Sequence, residues 1–84
     1  MTAEISFTDV GRNKVSWKEE FLLINGVFHP AAVIAMIKKK KCLASREISI
    51  TYLLEESRNL ITGEVFVGES RKVGRFEITL KTAQ

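Results

Sequence analysis

Apolar and polar residues alternate along most of this 84-residue chain, the period of a strand with one buried face. Ile5 and Phe7 oppose Glu4, Ser6 and Thr8. After the turn residues Gly11-Arg12-Asn13, Val15 and Trp17 oppose Lys14, Ser16 and Lys18. This pattern predicts a hairpin over 4–24, its second strand running on toward Ile24. Further on, Ile48, Ile50, Tyr52 and Leu54 oppose Glu47, Ser49 and Thr51. Ile61, Gly63, Val65 and Val67 then oppose Thr62, Glu64 and Phe66, and Phe76, Ile78 and Leu80 oppose Arg75, Glu77 and Thr79. Turn chemistry at 55–59 and 68–72 separates these runs, so an antiparallel meander of three strands is expected over 46–80.

The period of two breaks once. Pro30 opens a run of seven apolar residues, Ala31 to Ile37, which four lysines close. Proline suits the first turn of a helix, whose N–H groups have no partner within it. Lysines suit the last turn, where they face the negative end of the helix dipole. A helix is expected over 30–41, with most of its circumference buried rather than a narrow stripe. Asn25-Gly26, a strong hairpin signal elsewhere, is read here as a plain turn feeding that helix.

The order β-β-α-β-β-β describes a single α+β domain of two layers, about five antiparallel strands on one helix. One sheet face collects Ile5, Phe7, Val15, Trp17, Ile48, Ile50, Tyr52, Val65, Val67, Phe76, Ile78 and Leu80. A helix of three turns is too small to cover five strands. Either the sheet curls into a partial barrel around it, or a partner covers the remainder.

Little in the composition carries reaction chemistry. A single histidine, His29, leaves imidazole-based schemes one candidate, and beside Pro30 it reads as structural. Glu19/Glu20 and Glu55/Glu56 are adjacent pairs; strand neighbours point to opposite faces, and the second pair falls in a turn. One His and one Cys do not make a metal cluster, and the five glycines form no phosphate-binding loop. Cys42 follows four lysines that would favour its thiolate, but the end of a helix is a common place for a small buried cysteine. No enzyme activity, metal or cofactor is therefore expected. A lone cysteine and the absence of a signal-peptide pattern suggest a reducing, cytoplasmic setting, and no run is long enough to span a membrane.

Charge is unevenly distributed, although the net value is only +3. Residues 38–46 hold five cations and no carboxylate, whereas 47–69 hold five glutamates against Arg58. If the strands alternate in direction and the helix runs back along them, three basic segments share one end. They supply Arg12 and Lys14, then Lys38, Lys39, Lys40 and Lys41, then Arg71 and Lys72. Such an end suits an anionic partner, nucleic acid above all. The alternative is a protein-interaction module, an adaptor, inhibitor or self-associating subunit, acting through an edge strand or the open sheet face. There Leu53, Phe66 and Arg75 are the candidate contacts and a second copy a candidate partner, while an acidic protein, like nucleic acid, would suit the basic end.

Overall fold

The structure, a computed structural model, describes residues 2–20 (Glu20 by its backbone only), 29–41 and 47–81. Its elements are β1 (Thr2–Asp9), β2 (Lys14–Glu20), α1 (Pro30–Lys40), β3 (Ile48–Glu55), β4 (Leu60–Val67) and β5 (Arg71–Lys81). The five strands form one antiparallel sheet in the order β2-β1-β5-β4-β3, with α1 on one face. The two-layer α+β architecture expected from the pattern is present. The sheet stays open: β2 and β3 lie at opposite ends of the strand order and do not meet. The expected strand continuation at 21–24, the Asn25-Gly26 turn and Cys42 lie outside the described residues.

β5 holds the molecule together. The last strand in sequence lies centrally, with Ile78 paired to Ile5 of β1 on one side and to Ile61 of β4 on the other. This joins the hairpin to the meander. Ala3, Ile5, Phe7, Ile61, Val65, Phe76, Ile78 and Leu80 are buried on the same side, beneath Val33 and Ile37 of the helix. A Leu- or Ile-sized side chain in such a core contributes on the order of 2 kcal/mol from burial.

Two glycines make room for the aromatic core. A Cβ on Gly63 would collide with the Thr51 carbonyl and come within 2.5 Å of the Phe76 ring. A Cβ on Gly74 would lie 2.5 Å from the Phe7 ring and 2.6 Å from the Thr8 carbonyl. Each ring thus lies against the strand backbone beside it. Gly74 precedes the alternation expected for the last strand, which starts at Arg75; the observed β5 begins at Arg71, includes Gly74 and carries a bulge opposite Val65/Phe66. The bulge admits one extra residue and lets pairing reach further than strict alternation allows.

The helix corrects the expectation of near-complete burial. Val33 and Ile37, four residues apart, are buried and Met36 packs against the core, but Ala31, Ala32 and Ala35 are exposed. A cylinder resting on one sheet buries only the stripe it turns toward that sheet, however apolar its remaining surface. The same narrowness corrects β3. Ile48 and Ile50 pack against the core, whereas Tyr52 and Leu54, further along the same face, are exposed.

Candidate functional site

Strand direction decides which charges meet. Thr8 pairs with Lys14 and Arg75, Asp9 with Gly74, and Val67 with both Ile48 and Arg71. The β1–β2 turn and the β4–β5 turn therefore stand at one end of the sheet. Val10 N–H donates to the Val73 carbonyl across 3.2 Å and ties them together. The helix C-terminus arrives at the same end. Lys40 Nζ lies 5.2 Å from the centre of the Trp17 ring, and Lys41 Nζ lies 5.4 Å from that of Phe7. The acidic turn, a 3₁₀ segment over Glu56–Arg58, lies at the other end, where Glu55 pairs with Leu60.

The β1–β2 turn holds Arg12 firmly. Asp9 N–H donates to the Asn13 carbonyl and Arg12 N–H to the Asp9 carbonyl, each across 3.0 Å. Asn13 N–H donates to Asp9 Oδ1 at 2.9 Å. That bond holds the Asp9 carboxyl below its ordinary value, with smaller contributions from the Asn13 amide side chain, Gly11 N–H and the charge of Lys41. Arg12 itself has φ +68°, a left-handed conformation that glycine or asparagine fills at less cost.

On the helix-free face, Arg12, Lys72 and Arg75 line one depression together with Asp9. Lys72 also forms an ion pair with Glu64. Arg75, grouped by sequence with Leu53 and Phe66, thus belongs to the basic end. Leu53 and Phe66 do share the helix-free face, but register separates them: Leu53 pairs with Thr62, and Phe66 with Ser49 and Lys72. Phe66 is half-buried and Leu53 exposed, so they form no joint apolar patch.

The cations of this end fall into two groups. Lys40 and Lys41 lie over aromatic rings, and Lys72 is paired. Arg12, Lys14, Lys38, Lys39 and Arg71 make no ion pair among the described residues. Elsewhere on the helix-free face a single carboxylate, Glu4, is held by two lysines: it accepts from Lys81 at 2.9 Å and sits 3.9 Å from Lys18. The hydrogen bond from Lys81 is the main cause of a lowered Glu4 pKa.

His29 precedes α1 in an extended conformation, is exposed, and its carbonyl accepts from Ala32 N–H. Its imidazole does not cap the helix. No group of three or more metal-ligating side chains occurs among the described residues. No helix there is long and apolar enough to cross a membrane. No protein-family model matches the chain, and comparison with curated proteins and with solved structures returned no match.

Proposed function

We propose that this domain is a non-enzymatic binding module whose basic end grips the phosphate backbone of nucleic acid. The reading rests on one observation: register and the two lysine–ring contacts bring Arg12, Lys14, Lys38–Lys41, Arg71 and Lys72 to the same end. Cations gathered in this way release counterions from a polyanion, which gives affinity without requiring a pocket. Arg12 in a costly backbone conformation supports the reading, since local strain often accompanies a side chain needed where it is. The depression lined by Arg12, Lys72 and Arg75 can receive a phosphate oxygen. No pair of exposed aromatics accompanies these cations among the described residues, so the reading favours backbone contact over base readout.

The test is fluorescence anisotropy with duplex and single-stranded probes over a salt series. If the cations without ion pairs carry the contact, log K falls against log salt with a slope of about −4 to −5 on duplex DNA. Charge reversal at Arg12, Lys39 and Arg71 abolishes binding and leaves the fold intact. Unchanged affinity in that variant, or no binding at low salt, refutes the reading. Lys40 and Lys41 serve this test less well, because their contacts with Trp17 and Phe7 couple them to packing.

A further inference from the structure

The most exposed large apolar side chain among the described residues, Val10 at 69%, stands at the tip of the β1–β2 turn. A single exposed valine needs no explanation by itself. This one is fixed in place. Its N–H donates to the Val73 carbonyl, and the bonds between Asp9 and Asn13 lock the turn beneath it. Cations stand on both sides of the tip. Lys41, over the Phe7 ring, lies on the helix side, and its charge reaches the Asp9 carboxyl. Arg12, Lys72 and Arg75 lie on the helix-free side, in the depression that Val10 itself lines. Positive charge is less opposed here than at the neighbouring turn. Asp9, the carboxylate of the β1–β2 turn, is bonded to Asn13. Toward the β4–β5 turn stand Glu64, which pairs with Lys72, then Glu69, and Glu47, whose carbonyl accepts from Gly68 N–H.

Resting on the phosphate-binding reading above, we propose that the β1–β2 turn enters the minor groove of A·T-rich duplex DNA. Arg12 and Val10 occupy the groove, and Lys41 and Arg75 meet phosphates of its opposite walls. The minor groove is a slot about 6 Å wide with phosphates along both sides. It narrows at A·T tracts, where its negative potential draws arginine. The tip is slender, Val10-Gly11-Arg12, and Gly11 adds no bulk. Asp9 and Asn13, whose side chains could otherwise read base edges, are bonded to each other. One guanidinium and one apolar surface remain. An A·T floor, which lacks the guanine amino group, admits both. Duplex RNA offers a wide, shallow minor groove and does not fit a slender tip. Glu47 and Glu69 repel phosphates, so the contact is centred on the β1–β2 turn and not on the whole basic end.

The test measures anisotropy with the full chain on an A·T-tract duplex, a G·C duplex and their single strands. The A·T duplex binds about tenfold more tightly than the G·C duplex. Netropsin, a ligand of the A·T minor groove, displaces the protein, and methyl green, a ligand of the major groove, does not. Val10→Ser weakens A·T binding about fivefold, with an unchanged salt slope and melting temperature. Arg12→Gly, which suits the φ of +68°, keeps the turn and removes the A·T preference. Arg71→Glu costs less affinity than Arg12→Glu. Equal affinity for the two duplexes, displacement by methyl green alone, or an unaffected Val10→Ser variant would overturn the groove assignment and leave the phosphate-binding reading standing. No duplex binding at low salt would overturn both, including the case where the chain sediments with phosphatidylserine vesicles instead.

Discussion

The two borders of the sheet are built differently. β2 carries Lys14, Lys18 and Glu19, and its large apolar residue, Trp17, is half-buried beneath Lys40 with its indole N–H donating to Glu19. β3 carries no charge between Ile48 and Leu54 and leaves Tyr52, Leu53 and Leu54 exposed. Charged side chains are one way sheets prevent unwanted pairing, and among the described residues β2 carries them while β3 does not between Ile48 and Leu54. The contrast teaches that exposure of apolar side chains on β3 does not follow from the fold being small. Among the described residues, charge and a cation–ring contact lie along β2, and β3 has no charge between Ile48 and Leu54.

The largest test of this contrast is at Gly63, between β3 and the core. Gly63→Ala forces a methyl group against the Thr51 carbonyl and the Phe76 ring, and we expect a loss of about 3 kcal/mol in chemical denaturation. Faster amide exchange should concentrate in β3 and spare β2, because the displaced carbonyl belongs to β3; uniform loosening would mean the borders are not independent. Ile37→Ala removes a buried side chain from the helix stripe and should cost about 2 to 4 kcal/mol, while Ala35→Lys on the exposed side should stay within about 0.5 kcal/mol. Comparable losses in both would restore the fully buried helix.

At the β2 border, Trp17→Leu removes the ring beneath Lys40. It should lower stability by about 1 kcal/mol, whereas Leu53→Thr at the β3 border should change it by less than about 0.5 kcal/mol and raise solubility. Equal costs would show that Leu53 serves the fold.

The smallest expected effect concerns acid. Glu4, held by Lys81 and Lys18, and Asp9, held by Asn13, both have lowered pKa values. Because the folded state binds their protons less readily than the unfolded state, their contribution is present above the ordinary values of 4.5 and 3.8. It is lost as pH falls below those values toward the folded ones. Thermal melts from pH 6 to about pH 2 should therefore decline on the acid side, and Glu4→Gln should flatten part of that decline. The partner Lys18 places this effect beside β2.

Much of the candidate site was legible beforehand because it depends on direction along the chain. Turn chemistry at Gly11-Arg12-Asn13 and the break at Gly68 reverse the strands, and the lysines end the helix, so the gathering of basic segments follows from counting reversals. The partners of those cations were not legible. Nothing local links Lys40 to Trp17, Lys41 to Phe7, or Arg75 to the depression it shares with Arg12 and Lys72. The grouping of Leu53 with Phe66 had the same weakness, since alternation assigns a face and not a place on it.

By itself, the sequence determined the strands, the helix, their order and the side each residue turns toward the core, because period and turn chemistry are short-range properties. It also determined where charge lies along the chain. The tertiary structure alone decided that β5 would join β1 to β4 and leave β3 at a border. It likewise decided that only Val33 and Ile37 of an apolar helix would be buried, and that Gly63 and Gly74 would lie against Phe76 and Phe7. Those outcomes depend on neighbours far apart in sequence, such as Ile5 and Ile78, and a residue's own pattern carries no record of which neighbour it will meet.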